Sequence, residues 1–265
     1  MAVQLVIKTL VGQYLIDLES YIKTLLMFNN IIIAMWSGPR NLSTALMRSF
    51  GNRSDVTNVL DEPFYASYLA STNKDHPMKR EVIKSQPNNI DEVKKNCQVK
   101  SKGLTYQKHM THHIIDKDYS WMNPLTNCFL IRNPKMVVHS FMKSWNDGGF
   151  EDIGFQQQYD IYKYVQENIN DRPIIIDASK LRNNPKRVLS KFCKIVGLEW
   201  DDNMLSWSSG FKDYDGVWAK HWYPSVLKST SFKPETNKQI KLSDNEKRIV
   251  DLAMPIYEEL YESSI

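Results

Sequence analysis

Short apolar segments alternate with helical segments along the chain after residue 30. The apolar segments are continuous and rich in β-branched or aromatic residues, which is typical of strands buried on both faces of a parallel sheet. Four strands are predicted, at Ile31–Met35, Val56–Leu60, Cys128–Ile131 and Ile174–Asp177. Helices are predicted at Ser43–Phe50, Lys135–Trp145, Phe155–Asn168, Pro185–Val196 and Ser243–Glu262. The alternation predicts an α/β fold, a three-layer sandwich with a central, mainly parallel sheet.

Residues 1–30 do not fit this alternation. Apolar residues recur there at helical spacing, and Asp17 and Glu19 argue against the apolar core of a signal peptide. We predict an N-terminal amphipathic helical extension, packed on the domain or on a partner, followed by a single α/β domain at residues 31–265. The extension is a candidate interface for a homo-oligomer, and Met27 is an alternative start site.

Composition and charge narrow the function classes. The net charge of +4 suits an anionic small-molecule ligand, and no stripe of lysine and arginine indicates nucleic-acid binding. No apolar run is long enough to span a membrane. Cys97, Cys128 and Cys193 form no C-x-x-C pair and are predicted to be buried thiols in a reducing compartment. These features favour a cytoplasmic protein, and no spacing of histidines, cysteines and carboxylates predicts a metal site.

A strand, a tight turn and a helix N-terminus follow one another from residue 31 to residue 50. Free backbone N–H groups and the helix dipole make such a turn an anion site, and Arg40 adds a fixed positive charge. A Walker A loop counted from Gly38 needs a glycine, a lysine and a hydroxyl at residues 43–45, where the sequence has Ser-Thr-Ala. This departure argues against a Mg²⁺-dependent NTP reaction, while a capped turn without a ligand stays an alternative. The predicted phosphate-binding residues are Ser37, Gly38, Arg40, Asn41, Leu42, Ser43 and Thr44.

A second candidate anion site follows the strand predicted at Cys128–Ile131. Arg132 lies at the end of this strand, and Ser140 lies about two turns along the helix that Pro134 begins. An arginine and a serine so placed can hold one phosphate between them, the arginine through a charge-assisted fork.

The sequence at these two sites resembles the sulfotransferases that use 3′-phosphoadenosine 5′-phosphosulfate (PAPS). Residues 132–140 fit that family's strand-then-R-N-P-K-x-x-V-x-S pattern, and residues 39–44 are similar to its P-[KR]-S-G-T-[ST] loop. Residues 177–198 are similar to its Y-E-D-L…P…L…G segment, so the resemblance spans residues 31–207. It implies a P-loop NTPase-like fold that binds the 3′-phosphate of PAPS through Arg132 and Ser140, and its 5′-phosphosulfate through the 39–44 loop.

The sequence also departs from the family pattern. Asn41 and Leu42 replace a Ser-Gly pair in the loop, and Arg40 stands where many members carry a lysine. The C-terminal R-K-G…G-D-W-K segment of the eukaryotic cytosolic members is absent. In its place Gly216–Tyr223 is a candidate to cover the adenine or the 3′-phosphate, within a polar segment, Ser208–Pro234, that we predict to be a lid or binding loop.

Two residues are the main candidates for the base that removes the acceptor's proton. Glu62 follows the second predicted strand, at the edge where open α/β sheets bind ligands, and some bacterial and Golgi-type sulfotransferases look similar in using a glutamate there. His109 lies in a histidine-rich cluster, but it is one residue away from the base position of the K-T-H motif in phenol- and steroid-type members. The resemblance favours Glu62 over His109, and Asp61 and His113 remain alternatives.

The resemblance implies an enzyme that moves a sulfuryl group from PAPS, without metal, to a hydroxyl or amine of a small-molecule acceptor. Arg40 and the loop N–H groups are expected to stabilise the departing bridging oxygen. The acceptor is expected to enter past two loops, Ala66–Asn89 and Asn146–Phe155. Candidate walls of the acceptor pocket are Trp145, Trp207, Trp218 and Trp222. Two other classes stay open: a P-loop-type small-molecule kinase, and a non-catalytic nucleotide-binding or interaction protein on the same fold.

Overall fold

The computed structural model describes residues 30–145, 148–235 and 239–265, so the predicted N-terminal extension lies almost wholly outside the described residues. The described strands form one sheet. They are β1 (Ile32–Ser37), β2 (Val56–Asp61), β3 (Leu104–Met110), β4 (Thr126–Ile131) and β5 (Ile174–Asp177). Their order across the sheet is β2-β3-β1-β4-β5, and every neighbouring pair is parallel. The predicted α/β fold with a parallel sheet is confirmed.

Helices flank the sheet in the described part of the chain. They are α1 (Ser43–Gly51), α2 (Tyr65–Ser71), α3 (Lys79–Ser85), α4 (Ile90–Cys97), α5 (Pro134–Met142), α6 (Phe155–Asn168), α7 (Ala178–Asn183), α8 (Pro185–Val196), α9 (Ala219–Trp222) and α10 (Asp244–Glu262). All five predicted helices are confirmed, although α5 ends three residues before the predicted Trp145. The prediction of a loop at Ala66–Asn89 is wrong in part, because α2 and α3 occupy much of it.

The sequence pattern did not predict β3, although β3 lies between β1 and β2 in the sheet. All seven residues of this strand are buried, yet Gln107, Lys108 and His109 are polar or charged. The strands were predicted from continuous apolar runs, and β3 was missed because it has no such run. These polar residues are buried because they have partners within the protein, and one of them, Lys108, contributes to the candidate site described below.

The core lies on both faces of the sheet. Successive side chains of β1 alternate, so Ile33 and Met35 pack on one side while Ile32 and Ala34 pack on the other. The first side is covered by α1, α2, α7 and α8, and the second by α4, α5, α6 and α10. The result is the predicted three-layer sandwich. The three cysteines are buried free thiols, as predicted.

Candidate active site

The segments that follow β1, β2, β3 and β4 enclose a cavity of about 560 Å³ at the carboxyl edge of the sheet. Because the strands are parallel, their carboxyl ends lie side by side at this edge. Two groups of side chains dominate the lining. The cationic wall consists of Arg40, Arg132 and Ser140. The aromatic wall consists of Tyr65, Tyr68, His76, His112, His113, Trp145 and Trp222.

The turn after β1 brings Arg40 to the cavity. Arg40 and Leu42 both have left-handed backbone conformations, with φ of 65° and 74°, which non-glycine residues seldom adopt. The amide of Asn41 stabilises this turn, because its Nδ2 donates to the carbonyls of Gly38 at 2.9 Å and Pro39 at 3.2 Å. The turn therefore holds its shape through its own hydrogen bonds.

Four of the seven loop residues predicted to bind phosphate line the cavity: Arg40, Leu42, Ser43 and Thr44. The other three do not. Ser37 is fully buried at the end of β1, and Asn41 bonds within the turn. A side chain at Gly38 would collide with the carbonyl oxygen of Ile153, so this glycine permits the close approach of the segment before α6.

The two predicted anion sites meet at Arg40. Its Nε donates to Ser140 Oγ at 2.9 Å, and Arg132 Nη1 donates to the Arg40 carbonyl at 3.1 Å. Burial and then the charge of Arg132 lower the pKa of Arg40. Two guanidinium groups held this close repel each other, so the cationic wall favours an anion between or beside them.

Glu62 lines the same cavity, directly after β2. Its carboxylate oxygen Oε1 accepts from Lys108 Nζ at 2.5 Å and lies 3.2 Å from the oxygen of the Tyr223 hydroxyl, whose single hydrogen is closer to the Asp61 carboxylate. Burial raises the pKa of Glu62, the charge of Lys108 acts to lower it, and the neighbouring carboxylate of Asp61 raises it further. The pKa of this carboxyl group is therefore above its ordinary value, which makes it a stronger base than an exposed glutamate.

Lys108 links Glu62 to Asp61. The ammonium group is buried and donates to Asp61 Oδ1 at 2.9 Å as well as to Glu62. Asp61 also accepts from the Tyr223 hydroxyl and from the backbone N–H of Gly216 at 3.1 Å. The Gly216–Tyr223 segment, which the sequence suggested as a cover for adenine or a phosphate, thus contacts the buried carboxylate pair. The sequence did not predict that Lys108 pairs with these carboxylates, because β3, the strand that contains Lys108, was not predicted.

The structure does not bring His109 to the cavity. Alternate residues of β3 point to opposite faces of the sheet, so Lys108 and Met110 face the cavity while His109 faces away. Its ring stacks on Trp36 with 4.2 Å between centroids, and its Nε2 lies 2.9 Å from Gln107 Oε1. Burial lowers the pKa of His109 to about 3. Of the two leading base candidates, Glu62 is the one in the cavity.

The aromatic wall is continuous. The His113 ring stacks on Tyr65 at 4.6 Å and on Tyr68 at 4.8 Å, and His76 lies 4.9 Å from Trp145. Burial lowers the pKa of His76 to about 4 and that of His112 to about 3, so both rings are neutral at pH 7. The tryptophans at residues 145 and 222 were candidate wall residues from the sequence, while Tyr65, Tyr68 and His76 were not.

The order of the strands and the turn after β1 define a P-loop-like α/β fold. A family model described as a sulfotransferase domain matches residues 31–263. The chain belongs to this sulfotransferase domain family. Its fold is similar to that of a sulfotransferase from Alicyclobacillus acidocaldarius, with a TM-score of 0.55 and 9% identity over 87% of this chain and 94% of that one. It is also similar to the sulfotransferase domain from the curacin biosynthetic pathway, with a TM-score of 0.53 and 16% identity over 84% of this chain and 97% of that one.

Two curated relatives come from Arabidopsis thaliana. Branched-chain-amino-acid aminotransferase-like protein 1 is 33% identical over 229 residues, 85% of this chain and 41% of that protein. Branched-chain-amino-acid aminotransferase-like protein 2 is 34% identical over 204 residues, 76% of this chain and 36% of that protein. The chain thus spans about two fifths of the length of these relatives. Within the described residues, no helix is long and apolar enough to cross a membrane.

Proposed function

We propose that the chain transfers a sulfuryl group from PAPS to a hydroxyl or amine of a small-molecule acceptor. The observation that carries this proposal is the convergence of Arg40, Arg132, Ser140 and Glu62 on one cavity. Anion-binding groups can hold the donor and stabilise its leaving group, and a buried carboxylate with a raised pKa can take the acceptor's proton. Membership of the sulfotransferase domain family supports the same reaction.

The cationic wall fits a phosphate-bearing donor. The Nε of Arg132 is buried and has no hydrogen-bond partner among the described residues. A buried polar group without a partner costs about 1–3 kcal/mol, so an anionic ligand that accepts from it would be bound preferentially. We propose that Arg132 and Ser140 bind the 3′-phosphate of PAPS, while Arg40, Ser43 and Thr44 bind its 5′-phosphosulfate.

When bound, PAPS supplies the activated sulfuryl group. Glu62 is proposed to take the acceptor's proton through Oε2, which forms no hydrogen bond within the described residues, whereas Oε1 accepts from Lys108. Lys108 and Tyr223 would fix the orientation of the carboxylate. Arg40 would stabilise negative charge on the bridging oxygen as it departs.

The aromatic wall supports an uncharged acceptor with an apolar or aromatic body. Its histidines are neutral at pH 7, and its tyrosine and tryptophan rings offer flat apolar surface for packing. Asp152 also lines the cavity, but its carboxylate is paired with Lys74 at 2.6 Å. Among the described residues, the aromatic wall contains no cationic side chain that would pair with an acidic acceptor.

Calorimetry without metal tests the donor assignment. We expect adenosine 3′,5′-bisphosphate, the product of PAPS, to bind at least about tenfold more tightly than 5′-AMP, a difference of about 1.4 kcal/mol. Adenosine 2′,5′-bisphosphate is the matched control, because it has the same charge with the phosphate moved. Equal binding of the two bisphosphates, or tighter binding of ATP with Mg²⁺, would contradict the proposal.

A further inference from the structure

The carboxylate of Glu235 lies among groups that are suited to hold a phosphate. It accepts from Arg132 Nη2 at 3.0 Å, from Ser179 Oγ at 2.5 Å and from Arg182 Nη1 at 3.4 Å. The three donors come from the end of β4 and from α7, two neighbouring places at the carboxyl edge of the sheet. Sequence reasoning assigned a role to Arg132 alone.

The charges around Glu235 do not balance. Arg132 lies close enough to act on two other guanidinium groups, those of Arg40 and Arg182, while Glu235, beside Arg132 and Arg182, contributes one negative charge. Burial and then the charge of Arg132 lower the pKa of Arg182, as they do for Arg40. A monoanionic carboxylate leaves this cluster positive, whereas a dianionic phosphate with three oxygens would neutralise more of it.

The hydrogen bonding of Arg132 is also incomplete. Its Nη2 reaches Glu235, but the Nε on the same edge of the guanidinium is buried and has no partner in the described ranges. Arginine binds phosphate best through two parallel bonds from one such edge. Glu235 accepts from only one of these two donors, Nη2, whereas a phosphate at the same place could accept from both Nη2 and Nε.

The backbone that carries Glu235 is held independently of its carboxylate. Phe232 is buried against Trp207, with 5.0 Å between ring centroids. Arg182 donates from Nε to the Lys233 carbonyl at 2.6 Å and from Nη2 to the Pro234 carbonyl at 3.0 Å. A rotation of the Glu235 side chain could therefore remove its carboxylate from the site without displacing these contacts.

We infer that Arg132, Arg182 and Ser179 form one anion-binding site for the donor's 3′-phosphate, and that the Glu235 carboxylate competes with this phosphate for it. The inference rests on the proposed function, because it assumes a donor with a 3′-phosphate. It adds Ser179 and Arg182 to the donor site and makes Glu235 a residue that weakens donor binding. The alternative is that Glu235 is a permanent brace between Arg132 and α7, in which case its charge would not affect nucleotide selectivity.

The test is calorimetry with adenosine 3′,5′-bisphosphate and 5′-AMP on two variants. Glu235→Gln keeps the size of the side chain and removes the competing charge, so we expect about tenfold tighter binding of the bisphosphate and little change for 5′-AMP. Glu167→Gln is the matched control, because it makes the same charge change at an exposed position near the end of α6. It should leave both affinities unchanged.

A second variant distinguishes direct binding of the phosphate from a purely structural role of the contacts to residue 235. In the Glu235→Gln protein, Ser179→Ala should weaken bisphosphate binding about tenfold and leave 5′-AMP binding unchanged, because it keeps the bonds from Arg182 to the Lys233 and Pro234 carbonyls. If the parent prefers the bisphosphate but Glu235→Gln leaves that preference equal or lower, the inference is overturned and the proposed function stands. If neither the parent nor Glu235→Gln distinguishes the bisphosphate from 5′-AMP, the proposed function itself is overturned. Melting temperatures of every variant identify changes caused by unfolding.

Discussion

The two walls of the cavity are built in different ways. The cationic wall comes from the turn after β1 and from the strand–helix junction after β4, where anion-binding groups occur at fixed short spacings. The aromatic wall comes from α2, the segment after it, the turn after β3, the segment after α5 and the end of α9. It is joined by ring contacts between residues distant in the sequence.

This difference indicates that the two walls bind different reactants. A wall built from short junctions between a strand and the helix that follows it suits a ligand part that is the same in every turnover, such as the phosphates of a donor. A wall assembled from rings on separate segments can change its shape by substitution without disturbing the sheet. We therefore expect variants of the cationic wall to act on donor binding, and variants of the aromatic wall to act on the acceptor.

Glu62, which belongs to neither wall, should give the largest effect. Glu62→Gln removes the proposed base, so we expect kcat with PAPS and a hydroxylated aromatic acceptor to fall about 10²–10⁴-fold. Binding of adenosine 3′,5′-bisphosphate should change less than about twofold, because the cationic wall is intact. Glu81→Gln, exposed on α3, is the control. Unchanged turnover in Glu62→Gln would move the base to another residue.

The aromatic wall should give an intermediate effect that is confined to the acceptor. Trp222 lines the cavity beside Trp145, with 6.1 Å between ring centroids, so Trp222→Ala removes apolar surface from that wall. We expect the acceptor's KM to rise about tenfold, with the affinity for adenosine 3′,5′-bisphosphate unchanged.

The matched control for this variant is Trp200→Ala, since Trp200 is a partly buried tryptophan outside the cavity. It should leave both the acceptor's KM and the bisphosphate affinity as they are. Weaker bisphosphate binding in Trp222→Ala, with a normal acceptor KM, would reverse the assignment of the two walls.

The smallest effect concerns stability in acid. Burial lowers the pKa of His76 to about 4 and that of His112 to about 3, and it lowers the pKa of His113 as well. The unfolded chain binds these protons at about pH 6.5, whereas the folded chain does not, so stability should fall as the pH drops from about 6.5 towards 4. We expect the melting temperature to fall by about 5 °C between pH 7.5 and pH 5.

His113→Phe keeps a ring between Tyr65 and Tyr68 but removes one of the titrating groups. The variant should lose less stability over the same pH interval than the parent. Val99→Phe, which adds a ring at an exposed position outside the cavity without removing a titrating group, is the control and should not change the slope. Equal slopes for the parent and His113→Phe would contradict the contribution of His113 to the acid sensitivity.

The contrast between the walls also explains what the sequence could predict. Four apolar strands, five helices and the residues Arg40, Arg132 and Ser140 follow from local patterns, and the structure brings these three side chains together. Ser37, Gly38 and Asn41 occur in the same local pattern but stabilise or pack the turn, because a motif does not say which of its side chains face outwards.

The residues that sequence reasoning missed depend on long-range contacts. Lys108 is buried because two carboxylates at the end of β2 and a hydroxyl near α9 surround its ammonium group. No local sequence pattern predicts that these groups pair. His109 was a candidate base because it lies in a histidine-rich cluster, one residue away from the base position of the K-T-H motif. Once β3 is known, its alternation assigns Lys108 to the cavity and His109 to the opposite face.

Recognition of a 3′-phosphate by Arg132 can be measured directly as the ratio of the affinities for adenosine 3′,5′-bisphosphate and 5′-AMP in Arg132→Ala. The variant removes the guanidinium that reaches the Arg40 carbonyl, and Arg187→Ala, at an exposed position on α8, is its control. We predict that Arg132→Ala lowers the ratio from at least about ten to about one, mainly by weakening bisphosphate binding, while Arg187→Ala keeps the parent's ratio. An Arg132→Ala protein that folds and retains the parent's preference for the bisphosphate would contradict the account.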